Sequence, residues 1–105
     1  MEEQGGVYTL GSWLVKPGQE QAFIQAWKEL GAEFARLAHP PSGAGRLVQS
    51  MEDPLQFCSF GPWRSVEDVQ EMRGNPGAVE AIGRLLALCT VGKPGMFRLV
   101  ATAGG

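Results

Sequence analysis

The sequence predicts an α+β domain in which four strands and two helices follow one another in the order β-α-β-β-α-β. Short runs rich in β-branched and aromatic residues alternate with longer segments whose apolar residues recur every three or four positions. Clusters of proline and glycine separate most of these segments, as turns do. Since 105 residues is the usual size of one domain, we expect a single domain over residues 1–105.

The first strand is predicted at Val7 to Val15 and ends at the turn signal Lys16-Pro17-Gly18. Successive side chains of a strand point to opposite faces. One face is then formed by Val7, Thr9, Gly11, Trp13 and Val15, and the other by Tyr8, Leu10, Ser12 and Leu14. Because both faces are largely apolar, we expect helices to cover one of them and a partner sheet to cover the other.

The first helix is predicted from Gln19 to Leu37, where apolar residues recur at steps of four, three, four and three. These residues are Phe23, Trp27, Leu30, Phe34 and Leu37. Gly31 lies inside the helix, where glycine lowers helix stability by about 1 kcal/mol relative to alanine. Its presence suggests a close approach to another backbone. The prolines and glycines of residues 38–45 then predict a loop.

Two short apolar runs follow, Arg46 to Met51 and Leu55 to Phe60. The turn residues Glu52-Asp53-Pro54 separate them, so they are predicted to form a hairpin of strands two and three. Gly61-Pro62-Trp63-Arg64 is expected to break strand three.

The second helix is predicted to begin at Ser65, which lies three residues before Asp68 in the arrangement of a helix cap. Its buried stripe is Val66, Val69 and Met72. Arg73-Gly74-Asn75-Pro76 interrupts the helix, with Asn75 placed to cap a restarted helix.

The restarted helix is predicted to run to about Leu88 with a broad apolar surface, which indicates cover on more than one side. That surface comprises Val79, Ile82, Leu86 and Cys89, widened by Ala78, Ala81, Leu85 and Leu88. A turn at Val91 to Gly95 and a last strand at Met96 to Thr102 complete the chain. The whole order predicts a ferredoxin-like fold, with a four-stranded antiparallel sheet and two helices on one face.

Composition excludes several classes of function. Nine basic and eleven acidic residues give a net charge of -2 without a basic cluster, so we expect no nucleic-acid partner. The two cysteines, Cys58 and Cys89, have no metal-ligand spacing and lie in apolar runs, so we expect buried, reduced thiols and no metal site. No stretch approaches the roughly 20 apolar residues of a membrane span, and Met1 to Gly6 does not read as a secretory signal. We therefore expect a cytoplasmic protein with no membrane partner.

The stretch Gly61-Pro62-Trp63-Arg64-Ser65-Val66-Glu67-Asp68, followed by Asn75-Pro76, resembles the antibiotic biosynthesis monooxygenase family. Its most specific element is Trp-x-Ser-x-Glu at the start of helix two, and the turn Lys16-Pro17-Gly18 before helix one supports it. The resemblance covers roughly the whole domain. It implies a dimeric α+β barrel, in which two sheets pack face to face and each subunit holds a ligand pocket between its sheet and its helices.

The family resemblance also implies a range of activities. Members include cofactor-independent oxygenases of polyphenolic, anthrone-like substrates, small quinol oxygenases, haem-degrading enzymes and proteins without known activity. In the haem degraders, a tryptophan on helix two and a histidine ten residues later carry the reaction, and the matching positions here hold Met72 and Ile82. Their strand-one asparagine falls near Gly11 or Ser12. Haem breakdown is therefore disfavoured, and no cofactor is expected.

Oxygen chemistry without a cofactor needs an electron-rich substrate held in a dry pocket, and therefore few specialised side chains. The candidate catalytic residues are His39, Tyr8 and Arg73. His39 is the one histidine of the chain, the residue type best suited to general-base chemistry near neutrality, but it stands in a proline-rich loop where simple solvation is an alternative. The Tyr8 hydroxyl and the Arg73 guanidinium are candidates for holding a substrate oxygen.

Five residues are predicted to contact the substrate: Trp63, Met72, Asn75, Ile82 and Trp27. A packing role is the alternative for the two tryptophans, and helix capping is the alternative for Asn75. Thr9, Gln49 and Ser59 are polar strand residues that would reach the pocket only in one strand register, which the sequence does not fix.

The leading hypothesis is a homodimeric, cofactor-independent monooxygenase-like protein for a small aromatic, polyphenolic or quinol-type molecule. A non-catalytic protein that binds a small molecule or a partner on the same barrel is the alternative. A closed pocket of Met72, Ile82, Leu85 and Trp63 without polar atoms would favour binding alone, whereas a roomy cavity with His39, Tyr8 or Arg73 inside would favour an enzyme. An isomerase or lyase would need a paired base and acid that the sequence does not offer.

Overall fold

The structure, a computed structural model, describes residues 6–104. These residues contain four strands and three helices. In chain order they are β1 (Val7–Val15), α1 (Glu20–Ala35), β2 (Arg46–Gln49), β3 (Gln56–Trp63), α2 (Val66–Arg73), α3 (Pro76–Ala87) and β4 (Cys89–Arg98).

The strands form one sheet in the order β2-β3-β1-β4, and every neighbouring pair is antiparallel. This is the strand order of the ferredoxin-like fold, so the predicted fold class is confirmed. The predicted alternation along β1 is also confirmed, because Val7, Gly11, Trp13 and Val15 are buried under the helices. Tyr8, Leu10, Ser12 and Leu14 share the opposite face, which we call the open face.

The predicted break of strand three at Gly61-Pro62-Trp63-Arg64 is wrong, because β3 continues to Trp63. Proline is tolerated there for a reason that the sequence does not reveal. β2 pairs with β3 only as far as Phe60, so Pro62 lies on a stretch with no β2 partner on its outer side. On its inner side it stands opposite Tyr8 of β1.

The turn predicted at Val91 to Gly95 and the strand predicted at Met96 to Thr102 are also wrong. β4 begins at Cys89, runs through this segment and ends at Arg98. Pro94 fits because β4 is an edge strand whose outer backbone groups need no partner. Gly92 lies inside β4 and not in a turn, and a Cβ there would lie 2.6 Å from a methyl group of Leu86 and 3.0 Å from the Trp13 ring.

The second helical segment consists of two helices, so three helices and not two lie on the sheet. Both predicted caps are confirmed: Ser65 accepts a hydrogen bond from the Asp68 N–H and Asn75 accepts one from the Ala78 N–H. α1 and β2 are shorter than predicted. α1 ends at Ala35, and β2 ends at Gln49, after which the Ser50 hydroxyl oxygen accepts hydrogen bonds from the backbone N–H groups of Glu52 and Asp53.

The buried apolar side chains form two clusters rather than one core. The first contains Trp13, Val15, Phe23, Leu30, Phe57, Ala81, Leu85 and Cys89. The second contains Val7, Leu37, Trp63, Val69, Met72 and Ala78. Phe23 links sheet and helix in the first cluster, with its ring centroid 5.1 Å from that of Phe57 and 5.8 Å from that of Trp13.

The two cysteines lie in different environments. Cys89 is buried as predicted, and its burial raises the pKa of the thiol, an effect that nearby Lys16 partly opposes. The prediction of a buried thiol is wrong for Cys58, which is exposed. Cys58 stands opposite Ser12 on the open face, because the apolar run around it is a strand with only one covered side.

The open face carries several large apolar side chains in contact with solvent. Leu10 and its cross-strand neighbour Phe60 are 38% and 39% exposed, and Phe97 is 54% exposed. Val48 and Val91 belong to the same face by register. Within residues 6–104, no helix is long and apolar enough to cross a bilayer.

Replacing Gly11 by alanine tests how the sheet packs beneath the helices. A Cβ at Gly11 would lie 2.5 Å from the Trp13 indole, so the ring must shift, and we expect a loss of about 1–3 kcal/mol in the free energy of unfolding. Urea denaturation measures this loss. The control is Ser12→Ala on the open face, which removes only an exposed hydrogen bond from Gln56. Equal stability of Gly11→Ala and the parent would contradict the packing.

Candidate functional site

A cavity of about 940 Å³ lies between the helices and the covered face of the sheet. Its walls include Trp13 and Leu30 of the first core cluster and Trp63 and Met72 of the second, so it separates the two clusters. Half-exposed side chains such as Val79 also line it, and the cavity therefore opens to solvent. Its volume falls within the usual range for small-molecule sites.

Two reciprocal hydrogen bonds between β1 and β3 form the floor of the cavity. The Trp13 indole on β1 donates to the Ser59 hydroxyl on β3 at 3.0 Å. The Trp63 indole on β3 donates to the Thr9 hydroxyl on β1 at 2.9 Å. Both bonds run diagonally across the register, in which Gly11 faces Ser59 and Gly61 faces Thr9. Gly11 leaves the space that the Trp13 indole occupies, whereas Gly61 lies against the backbone of Gly45.

The hydrogen bond from each indole N–H determines which hydrogen-bonding role the hydroxyl group can still play toward a ligand. An indole N–H only donates, so the oxygen atoms of Thr9 and Ser59 act as acceptors toward the tryptophans. Their own O–H groups remain able to donate to a third group. Since both residues line the cavity, the floor can present two hydrogen-bond donors to a ligand oxygen.

The helices supply apolar walls. α1 contributes Trp27, Leu30 and Phe34, and the Phe34 ring meets Trp63 edge to face with centroids 5.2 Å apart. α3 contributes Val79, Ile82 and Leu86. This explains the broad apolar surface of α3, since Ala78, Ala81 and Leu85 face the core while the neighbouring stripe faces the cavity.

The charged residues that line the cavity are Lys28 on α1 and Arg73 at the end of α2, and both are cations. No acidic residue lies among the lining residues of the described chain. Neither Lys28 nor Arg73 belongs to an ion pair among residues 6–104. Both side chains are exposed, so they place positive charge at the rim of the cavity although the chain as a whole is negative.

The structure brings together five of the eight residues that the sequence predicted as site residues. Arg73, Trp63, Met72, Ile82 and Trp27 all line the cavity. Trp63 combines both roles considered for it, because it is buried in the second cluster and also forms part of the wall. Trp27 is half-buried, and one side of its ring lies close to Gly45.

The other three residues do not line the cavity. Tyr8 lies on the open face, one position from the covered residues Val7 and Thr9. Asn75 caps α3 with its side chain. The Nδ1 atom of His39 lies 3.1 Å from the Glu71 carboxylate, and the pair is exposed.

The His39–Glu71 pair nevertheless borders the site. It joins the loop after α1, from which Pro41 lines the cavity, to α2, from which Met72 and Arg73 line it. The two residues are 32 positions apart, so no spacing in the sequence indicates the pair.

The floor hydroxyl groups and the cation Lys28 were not among the predicted site residues. Thr9, Gln49 and Ser59 were recognised as polar strand residues, but only the register decides which of them face the helices. Thr9 and Ser59 line the cavity. Gln49 is on the same face as Phe57 but lies outside the cavity, and its side chain donates to the Pro54 carbonyl oxygen. Lys28 has no sequence signal, because it follows Trp27 on a helix face that reads as solvated.

The fold is that of solved antibiotic biosynthesis monooxygenases. SnoaB, a cofactor-independent oxygenase from Streptomyces nogalater, superposes with a TM-score of 0.80 at 20% sequence identity, covering 93% of this chain and 96% of that one. A structure described as an antibiotic biosynthesis monooxygenase superposes at 0.72 and 13% identity, covering 92% and 99%. A conserved protein from Methanosarcina mazei Go1 superposes at 0.78 and 15% identity, covering 91% and 94%.

No family model and no curated protein matches the chain. Because solved structures of that family are among the similar chains, the resemblance that the Trp-x-Ser-x-Glu stretch suggested is confirmed at the level of the fold. Because unrelated activities share folds, the activity depends on the site itself.

Removing either floor hydroxyl group tests the reciprocal bonds. In Thr9→Val and Ser59→Ala a largely buried indole N–H loses its acceptor, which we expect to lower the free energy of unfolding by about 1–2 kcal/mol. Urea denaturation measures the loss, with the exposed Ser42→Ala as the control. If both variants matched the control, the indole bonds would not contribute to stability.

Proposed function

We propose that this protein is a cofactor-independent monooxygenase-like protein that acts on a small aromatic, polyphenolic or quinol-type molecule. The observation that carries the proposal is the 940 Å³ cavity, whose apolar walls surround two hydroxyl donors and carry two cations at the rim. The fold shared with a cofactor-independent oxygenase supports the same reading.

The walls favour a flat aromatic ligand. Trp13, Trp27 and Trp63 are the three tryptophans of the chain, and all of them line the cavity together with Phe34. Aromatic faces and edges stabilise a planar ring by stacking and edge contacts in addition to excluding water.

The polar groups favour a ligand with an ionised or strongly polarised oxygen. The Thr9 and Ser59 hydroxyls can donate to that oxygen from the floor, and Lys28 and Arg73 stabilise negative charge near the rim. These groups favour the phenolate form of a bound phenol and oppose the effect of the apolar walls, and the proton can leave through the open side of the cavity.

Deprotonation is the step that makes direct reaction with dioxygen possible. A phenolate or enolate passes one electron to O₂, and the resulting radical and superoxide combine to form a C–O bond. The peroxide anion then takes back one proton from solvent, which replaces the proton lost on ionisation, and becomes a hydroperoxide. When the oxidised carbon is a methylene group, loss of water from the hydroperoxide leaves a carbonyl group. One oxygen atom enters the product and the other leaves as water, so a CH₂ group and O₂ become C=O and H₂O. The protein's task is to ionise, orient and partly desolvate the substrate.

A non-catalytic binding protein is the second candidate, and one observation favours it. No carboxylate or histidine lines the cavity in the described chain, and His39 is paired with Glu71 outside it. Binding of an aromatic molecule needs no base, whereas catalysis by this site depends on the cations and hydroxyl groups alone.

Oxygen consumption distinguishes the two candidates. We expect the protein to accelerate oxygen uptake by an anthrone or a hydroquinone, measured with an oxygen electrode against the uncatalysed rate. The same compounds should quench tryptophan fluorescence, because every tryptophan borders the cavity. Quenching without faster uptake would favour the binding protein, and neither effect across a panel of such compounds would refute the proposal.

Arg73→Gln tests the role of the rim charge. Because an exposed charge pair contributes up to about 1 kcal/mol, we expect the affinity for a phenolate ligand to fall by roughly two- to fivefold and less at high salt. Arg64→Gln, which removes an exposed arginine that does not line the cavity, is the matched control. Equal losses in both variants would mean that net charge and not the rim position matters.

We propose that the protein is a homodimer in which the open faces of two sheets pack together. Leu10, Phe60 and Phe97 lie side by side on this face with more than a third of each side chain exposed. A second copy presents the same patch, so one two-fold contact covers both surfaces. Val48 on β2 and Val91 on β4 lie on the same face, so the contact can extend to both edge strands.

Light scattering measures the mass of the protein as it elutes from a size-exclusion column, and so tests the predicted dimer. We expect twice the mass of one chain for the parent and one chain mass for Phe60→Glu, because the new charge would be buried against the partner. Ala32→Glu adds the same charge to an exposed position of α1 and should remain dimeric. Cys58 gives an independent readout, since its alkylation should be slow in the dimer and fast in Phe60→Glu. A monomeric parent with a rapidly alkylated Cys58 would exclude the dimer.

A further inference from the structure

Two glycines lie inside the helices that wall the cavity. Gly31 lies within α1 and Gly83 within α3, and both line the cavity. Glycine is among the least favourable residues in a helix interior, so its presence there calls for a reason. The backbone supplies none, because among the described residues only Gly18 and Gly104 have positive φ angles.

Packing does not supply a reason either. Other cavity glycines are tightly enclosed: a Cβ at Gly11 would lie 2.5 Å from the Trp13 ring, and one at Gly61 would lie 3.2 Å from the Gly45 backbone. A Cβ at Gly31 or Gly83 would meet no heavy atom within 4 Å. The close approach of another backbone that the sequence suggested for Gly31 is therefore absent, and the space beside both glycines is open.

Both glycines occupy the same position in a row of large side chains. On α1, Gly31 lies four residues after Trp27 and three before Phe34. On α3, Gly83 lies four residues after Val79 and three before Leu86. Residues at these spacings share one face of a helix, and all four flanking residues line the cavity. Each helix therefore presents a gap between two large apolar side chains.

We propose that Gly31 and Gly83 set the size of the ligand, and that the two gaps admit a planar molecule of several fused rings. This inference rests on the proposed ligand-binding function of the cavity. A single ring fits between the aromatic walls without using the gaps, whereas a three-ring molecule needs the volume that side chains at these positions would occupy.

The test uses alanine and leucine variants at both positions and two probes that do not react with oxygen. The three-ring probe is 1,8-dihydroxyanthraquinone and the one-ring probe is 4-nitrophenol. Tryptophan quenching gives their affinities, and thermal unfolding at one fixed protein concentration gives Tm. Ala32→Leu and Ala32→Gly are the matched controls, since Ala32 is an exposed neighbour on α1 that does not line the cavity.

We expect Gly31→Ala and Gly83→Ala to raise Tm by roughly 2–8 °C each, because a better helix former enters open space. Ala32→Gly should lower Tm by a similar amount. Gly31→Leu and Gly83→Leu should weaken binding of the anthraquinone on the order of tenfold or more, while 4-nitrophenol binding changes less than about threefold. Ala32→Leu should leave both affinities unchanged.

Different results would overturn different parts of this inference. If the leucine variants fold and bind the anthraquinone as tightly as the parent, the glycines do not set ligand size, although the cavity still binds ligands. A lower Tm in the alanine variants would mean that the space beside the glycines is filled, which also refutes the assignment. A parent chain that binds neither probe would refute the proposed function of the cavity, and the size assignment with it.

Discussion

The antiparallel register of β1 and β3 is the constraint on which the site depends. It places Thr9, Trp13, Ser59 and Trp63 on one face and lets each indole reach the hydroxyl group of the other strand. If either strand shifted by one residue, its own two side chains would turn to the open face and both hydrogen bonds would be lost. The two hydrogen bonds join the strands beneath the cavity and also orient the hydroxyl groups, so the same contacts stabilise the sheet and define the chemistry of the floor.

The cavity exists because the apolar residues do not form one continuous core. Two clusters, centred on Phe23 and on Trp63, hold the helices against the sheet at separate places. Between them, α1 and α3 carry glycines where a filled core would carry leucine or valine. Tight packing generally stabilises a domain, and an unfilled space of this size costs stability. A ligand bound in the proposed site would supply the missing contacts.

The charges near the cavity differ in kind from those elsewhere on the surface. The ion pairs of Arg36 with Glu33 and of Arg84 with Glu80 are local pairs along one helix, as in most solvated helices. Lys28 and Arg73 have no such partners in the described chain and lie at the rim. Positive charge that the protein itself does not neutralise remains available to an anionic ligand.

The sequence alone determined the order of the elements, the helix caps at Ser65 and Asn75 and the division of β1 into two faces, because these depend on local periodicity and on side-chain bonds over three residues. It failed at Pro62 and at Pro94, since proline is compatible with a strand only where the outer side is unpaired, and that depends on which strands are neighbours. Trp27, Met72 and Ile82 line the cavity because helix faces can be read from spacing, whereas Trp63 ends β3 and Arg73 ends α2. The hydroxyl groups of Thr9 and Ser59, the pairing of His39 with Glu71 and the open space beside Gly31 were decided only by the tertiary structure. They arise from contacts between distant segments, and local sequence patterns carry no information about such contacts.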